Sequence, residues 1–403
     1  MSENKENVPK IRFPGFTDAW KQRRLGELME ISSASRVHKE EWTETGVPFF
    51  RSSDVVSAFK GLENDRAFIS YELFEELSNK SGKVQENDLL VTGGGSIGIP
   101  YKVRNNEPLY FKDADLIWLK NSSLINSDFL YTFLITSVFR RYVGSITHIG
   151  TISHYTIEQA KATPIMMPEI EEQKHISQFF AQLDRLITLH QRKLNNVKNL
   201  KDGLLQKMFP KNGEDFPEVR FPGFTDAWEQ RKFIDIASRI TCTSEKMGLP
   251  RIEYEDIISG RGELNKDIFQ KESSKKGIAF EEQDILFGKL RPYLKNWLLP
   301  DYKGIAVGDF WVFRPIDIDS KFVYSLIQGE KYQTVANLST GTKMPRSDWS
   351  VVSSTDFFIP KSIDEQKKIG EFFSNLDQLI TLHQRKLEHL QKLKKALLQQ
   401  MFI

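Results

Sequence analysis

The chain repeats itself. RFPGFTDAW fills residues 12–20 and again, letter for letter, residues 220–228, while LITLHQRKL fills 186–194 and again 379–387. The second pair lies inside longer matching stretches that begin IEEQK at Ile170 and IDEQK at Ile363. Self-similarity at so long a period fixes the architecture before any local reading begins. The chain must fold as two copies of one plan: a short aromatic motif, a variable block and a long helix. The first motif recurs after 208 residues and the second after 193, so the second copy is 15 residues shorter between its landmarks.

The long helices follow from periodicity. Leu183, Ile187, His190, Leu194, Val197, Lys201, Leu204 and Met208 stand alternately four and three residues apart. Leu376, Ile380, His383, Leu387, Leu390, Lys394, Leu397 and Met401 keep the same steps. That spacing is the seam of a coiled coil. About 40 helical residues span roughly 60 Å. Two seams in one chain pair most simply with each other, and the repeat favours an antiparallel pairing. Ser362 and Glu365 form a capping box at the start of the second helix, and Gly213 follows the first at its end. His190 and His383 read as polar seam positions that set register; no Cys or carboxylate accompanies either at ligand spacing. Phe179, Leu186, Leu200 and Phe372, Leu379, Leu393 form a second apolar stripe that a two-helix coil leaves exposed, which marks a partner surface.

Pro14-Gly15 and Pro222-Gly223 suit type II turns, with Phe13, Phe16, Trp20 and Phe221, Phe224, Trp228 as an apolar lid on each copy. The blocks 36–150 and 239–341 share almost no identity beyond punctuation. Glu86-Asn87-Asp88-Leu89-Leu90 parallels Glu282-Gln283-Asp284-Ile285-Leu286, and Gly150-Thr151 parallels Gly341-Thr342. Short apolar runs between turn signals, such as DLIWLK, DILF and FWVF, read as strands. The expected fold class is α+β: two tandem mixed domains joined by two long helices in an antiparallel coiled coil, with pseudo-twofold (circular) organisation. The expected divisions are 1–168 and 217–361 for the domains, 169–216 and 362–403 for the helices.

Composition narrows the function classes. With 29 Phe and 7 Trp the chain has ample core and is not disordered. The longest uncharged apolar run, Phe129 to Phe139, is too short to span a bilayer. MSENKENVPK lacks the apolar core of a signal peptide, so a cytoplasmic location is expected. The single cysteine, Cys242, leaves no internal disulfide framework and no cysteine-based zinc site. Net charge is +2, with 17 Lys/Arg against 18 Asp/Glu over residues 21–168 and 20 against 19 over 229–361. Charge alone therefore does not announce a nucleic-acid binder.

Catalytic signatures are missing. VTGGGSIG at 91–98 lacks the Lys-Ser/Thr ending of a P-loop and the helix opening of a dinucleotide fingerprint; it reads as a flexible surface loop after a strand, the alternative being a loop whose backbone approaches a DNA strand. No Asn-Pro-Pro-aromatic tetrapeptide is present. Glu172-Gln173-Lys174 and Glu365-Gln366-Lys367 open helices, where Glu favours the positive end of the dipole, rather than lying on a nuclease strand. A fused methyltransferase or nuclease, and a coiled-coil protein scaffold without DNA binding, stay as alternatives.

With these residues in view (RFPGF twice, DLLVTGGGSIG, DILFGKLRPYL, GTKMPRS and the paired EQK…LITLHQRKL helices) the whole chain resembles the specificity subunit of type I restriction-modification systems. The resemblance implies two target-recognition domains, each reading one half of a split asymmetric DNA site, and a helix pair that fixes the gap. It implies a subunit without catalytic residues, assembled with double-stranded DNA, two methylase subunits and two restriction subunits, and no membrane. No cofactor is expected on this chain; S-adenosylmethionine, ATP and Mg would serve the other subunits, directing adenine methylation and restriction. Base readout needs donors and acceptors on loops. The first block offers Arg51, Ser52, Ser53, Thr92, Ser96, Lys102, Arg140, Arg141, His148, Thr151 and His154. The second offers Arg239, Thr241, Thr243, Arg261, Lys289, Arg291, Tyr293, Lys343 and Arg346, with Lys289-Leu290-Arg291 and Lys343-Met344-Pro345-Arg346 foremost. Modest basicity is tolerable where partner subunits supply phosphate contacts, and methylase helices packing on Phe179, Leu186, Leu200, Phe372, Leu379 and Leu393 would complete a bundle.

Overall fold

A computed structural model describes residues 7–112, 116–147, 154–211, 213–270, 273–338 and 344–403. The chain divides into two compact units, Met1–Thr188 with Glu388–Ile403, and Leu189–Leu387. Each long helix, Ile170–Lys207 and Ile363–Met401, gives one part to each unit.

In the first unit the strand Lys21–Arg24 pairs antiparallel with Pro164–Met167, Lys21 opposite Met167. This clip ties the chain just after the short motif to the segment just before the first long helix, on either side of the variable block. A four-stranded antiparallel sheet follows in the order Ile31–Ser32, Leu116–Leu119, Leu89–Thr92, Pro100–Lys102. Leu89–Thr92 is buried along its whole length because each face meets a different core. Side chains alternate across a strand, so Leu89 and Val91 join the core that holds the helices, while Leu90 joins the core under a second sheet. That second sheet runs Trp42–Thr43, Ala67–Ile69, Val47–Phe50, Tyr110–Phe111, its last pair parallel.

The second unit rebuilds this plan from unrelated residues. Glu229–Lys232 pairs with Asp356–Ile359, and the central sheet runs Ala237–Ile240, Phe310–Pro315, Ile285–Gly288, Trp297–Leu298. The division of faces is the same: Ile285 and Phe287 face the helix core, Leu286 the other. The outer sheet differs. Gly304–Ala306 lies inside, between Gly277–Phe280 and Arg251–Ile252, whereas Tyr110–Phe111 is an edge. An added hairpin, Ile257–Ile258 with Glu263–Leu264, has no counterpart among the described residues of the first unit.

Helix packing is antiparallel within each unit. Ile176, Phe180 and Leu183 share a core with Leu390, Leu398 and Met401, and Asp184 meets Lys394 at 2.5 Å. Leu205 and Met208 share a core with Ile369, Phe373 and Leu376, and Lys201 meets Asp377 at 2.5 Å. The seam lysines thus extend their stems across apolar surface to a carboxylate on the facing helix. Met208-Phe209 and Met401-Phe402 stand at the C-terminal ends of the two helices. The Phe402 ring packs on Trp20 at 6.1 Å and stacks on Phe129 at 5.4 Å; Phe209 packs on Trp228 at 6.1 Å and Phe322 at 5.7 Å. The first helix stops at Lys207, three residues before Pro210, so Gly213 (φ +87°) belongs to the following loop and does not cap it.

Candidate nucleic-acid interface

The two copies of the short motif act through their arginines. Arg12 donates two hydrogen bonds of 2.7 Å to the buried Glu172 carboxylate, and Arg220 binds Glu365 in the same way at 2.6 and 2.9 Å. These bonds hold both guanidinium groups charged. The next residue, Gln173 or Gln366, accepts from the backbone N–H of Asn126 or Asp319 and donates to a proline carbonyl. Asn126 and Asp319 cap the helices Ser127–Leu134 and Ser320–Gln328. Glu-Gln at each long-helix start therefore ties that helix to the short motif and to the helix capped by Asn126 or Asp319. The expected capping box is only half made: Ser362 Oγ accepts from Glu365 N at 3.4 Å, but the Glu365 carboxylate goes to Arg220. Gly15 and Gly223 adopt φ of +95° and +93°, as type II turns require.

The shared punctuation before each central strand also has a role. Asn87 and Gln283 are left-handed (φ +72° and +66°) and turn the chain into the strand. The buried Asp that follows gathers donors: Asp88 accepts from Trp118 Nε1 and Asn121 N, Asp284 from Arg314 twice.

The central strand Ile285–Gly288 delivers Lys289 to the surface. Gly288 is needed there, since a Cβ would lie 2.7 Å from the Tyr254 ring. Arg291 N donates to Pro345 O and Ser347 N to Lys289 O, so the KLR and MPR stretches are zipped together, while Lys289 N donates to Asp309 O. Lys289 Nζ lies 3.7 Å from the Asp309 carboxylate, and Arg346 reaches the same group at 3.2 and 3.4 Å. Arg291 holds φ +49° before Pro292, a costly conformation for a side chain that has a Cβ. Tyr293 and Met344 are exposed beside it. Asp309 escaped the sequence reading because only this pairing reveals it. Lys343 lies outside the described residues.

The other second-unit candidates scatter. Arg239 lies over Trp349, its guanidinium carbon 4.7 Å from the ring centre, and Thr241 and Thr243 are exposed near a sheet edge. Arg261 lines a cleft with Tyr324, Asp377 and Arg385, a lining that does not include Lys289, Arg291 or Arg346.

In the first unit the glycine loop occupies the place that KLRPYL takes in the second, since each follows the same strand of the central sheet and is stitched to the segment before the long helix. Tyr155 N donates to Gly93 O, as Ser347 N does to Lys289 O. The loop is built rather than flexible. Thr92 Oγ1 donates to Ser96 O and accepts from Ile99 N, and Arg140 Nη1 donates to Ile97 O at 2.7 Å. Thr92 and Arg140 are thus occupied by the fold, and burial holds the Arg140 guanidinium pKa down. Ser96, Arg141 and His154 stay exposed around this loop. Lys102 pairs with Asp128 at 2.5 Å, and Arg51 with Asp54 at 2.8 Å beneath the Trp42 ring. Ser52 is half-buried and Ser53 exposed. His148 and Thr151 lie outside the described residues.

On the long helices Leu183, Leu194, Leu376, Leu387 and Leu390 are buried, and Ile187, Val197, Leu204, Ile380 and Leu397 half-buried. Leu186, Leu200, Leu379 and Leu393 are 39–51% exposed. Phe179 and Phe372 differ: Phe13 and Phe221 cover them edge-on at 5.8 and 5.7 Å. Leu189 and Leu382, unremarked in the sequence, are exposed as well.

His190 and His383 meet with their Nδ1 atoms 3.2 Å apart. One ring must donate and the other accept, so two charged rings cannot make this contact. Desolvation, then the His383 ring and the nearby lysines 193 and 386, lower the His190 pKa below 6.5. A base whose folded pKa is depressed binds protons better when unfolded, so stability is lost as pH falls through the unfolded value. We expect the unfolding midpoint to drop between roughly pH 7.5 and 5.5, with a smaller drop in His190→Gln; thermal scans across that range measure it.

Among the described residues no helix is long and apolar enough to cross a membrane, and no three His, Cys, Asp or Glu side chains group to hold a metal ion.

Comparison with known proteins agrees with this arrangement. The family described as type I restriction modification DNA specificity domain matches residues 17–199 and 226–392. The type I restriction enzyme MjaVIII specificity subunit of Methanocaldococcus jannaschii is 24% identical over 81% of this chain and 80% of its own length. A putative type I restriction enzyme specificity subunit of Haemophilus influenzae is 28% identical over 41% of this chain and 40% of its own. The crystal structure of a type I restriction-modification S subunit from M. genitalium superposes with a TM-score of 0.63 at 15% identity, covering 98% of this chain and 99% of that one. A structure from work on complex assembly and conformational transition of the type I R-M system gives 0.51 at 13% identity, over 96% and 98%. The two copies of one plan are two such domains in tandem, and the chain belongs to the type I restriction-modification DNA specificity family.

Proposed function

We propose that this chain is the DNA-recognition subunit of a type I restriction-modification complex. Each recognition domain reads one half of a bipartite asymmetric site, and the helix pair sets the gap between the halves. The observation that carries this reading is one scaffold built twice with two unlike loops at the same place: GGGSIG after one central strand, KLRPYL after the other. The shared parts (the Arg–Glu clamp, the turn before the strand, the seam) are structural, and what differs is what is presented to a ligand. Methyl transfer and cleavage belong to partner subunits in this reading, which bring S-adenosylmethionine, ATP and Mg. Mapping methylated adenines in the host genome with and without this gene tests it: a bipartite motif must disappear with the gene.

Methylase docking rests on the exposed leucines. Leu186 and Leu393 lie in the first unit, Leu200 and Leu379 in the second, so each unit offers an equivalent pair of apolar side chains that solvent does not favour. Leu186→Glu with Leu379→Glu is expected to abolish methylase co-purification while leaving the unfolding midpoint within a few degrees. Undiminished co-purification would remove these residues from the interface.

A further inference from the structure

The geometry points to Lys289, Arg291 and Arg346 as a clamp for one DNA backbone phosphate, with Asp309 as a built-in counter-ion that weakens it. This rests on the DNA-recognition reading and adds which part of the DNA these residues hold. Residue type alone makes Lys289, Arg291 and Arg346 candidate base readers, yet their setting suits a phosphate better. Two backbone hydrogen bonds join the two stretches and a third ties Lys289 to Asp309, so the main chain sets the three charged side chains out from one fixed base. The Nε–Nη2 edge of Arg346, the planar fork used for side-on recognition, is already turned to Asp309. Lys289 offers a point charge, which suits a phosphate and carries no base code. Arg291 Nε is buried and, among the described residues, hydrogen-bonds to nothing.

Asp309 sets the strength of the clamp. Its contacts of 3.2–3.7 Å are longer than the roughly 2.7–2.9 Å of a tight charge-assisted bond. One carboxylate is shared between two cations at these lengths, so it neutralises neither of them tightly. A phosphate arriving at Lys289 and Arg346 meets attraction reduced by one fixed negative charge. The physical consequence is weaker holding of every duplex alike, so that discrimination falls to contacts made elsewhere in the domain.

The test uses the full chain in complex with its methylase subunits and two probes: a duplex carrying the mapped target, and the same duplex with both halves scrambled. Affinity is measured across a salt series. Lys289→Gln and Arg346→Gln should each flatten the slope of log K against log salt by about 1, leaving the ratio of target to scrambled affinity unchanged. Asp309→Asn should tighten both duplexes and steepen the slope by about 1. Lys289→Arg should restore the slope, which separates lost charge from lost folding. A changed target-to-scrambled ratio makes these residues base readers and overturns the clamp; so does an unchanged slope. If the unaltered complex binds neither duplex, the DNA-recognition reading itself falls.

Discussion

Glu365→Ala is expected to lower the unfolding midpoint by about 6–12 °C, the largest single-residue effect we foresee. The carboxylate is 1% exposed and takes both hydrogen bonds from Arg220, itself 13% exposed, and a third from Trp228 Nε1 at 3.3 Å. Removing it leaves a nearly buried guanidinium without its partner, which costs about 3 kcal/mol at the lower end of the range for a broken buried pair. For a unit of this size each kcal/mol moves the midpoint by roughly 2–4 °C. The loss is of pairing and not of packing, because replacing both partners is much milder than replacing one. Arg220→Met with Glu365→Leu should therefore recover most of the midpoint, as differential scanning calorimetry can show. If the double variant melts as low as the single one, the pair is not what holds the motif to the helix. Glu172→Ala should act in the same sense in the first unit, where the partnering is poorer: Arg12 Nη1 and Trp20 Nε1 are buried without hydrogen-bond partners among the described residues.

What the sequence reveals is what depends on short-range order. The seam from Leu183 to Met208, the Pro-Gly turns and the strand runs each occupy one stretch of chain, and their periodicity is visible without a fold. The duplicated landmarks then require two units of one plan. Pairings across long separations stay hidden: nothing local connects Arg12 to Glu172 or Lys289 to Asp309. The glycine loop shows the same limit. Composition makes VTGGGSIG look flexible, but Thr92, Arg140 and Tyr155 supply hydrogen bonds from three separate segments. Burial decides the fate of charged candidates as well. Arg140 turns inward and Arg239 lies on Trp349, and no pattern in the letters around them says so. Phe179 and Phe372 share the exposed stripe with Leu186 and Leu379 on a helical wheel, yet the neighbouring motif's own Phe13 and Phe221 cover them.

The second large effect concerns recognition. The block 239–341 enters on the edge strand Ala237–Ile240 of the central sheet and carries Lys289, Arg291 and Asp309. Arg220, the Trp228 lid and the Glu365 clamp lie outside it. A relative's matching block can thus be received by the same frame, provided it brings the equivalents of Phe287, Phe313 and Tyr332 that fill the helix core. Methylated adenines mapped genome-wide should then show one half of the bipartite motif replaced, with the other half and the gap unaltered. If both halves change together, if the gap shifts with the block, or if the motif stays as it was, two independent readers on one duplicated frame is the wrong description of this protein.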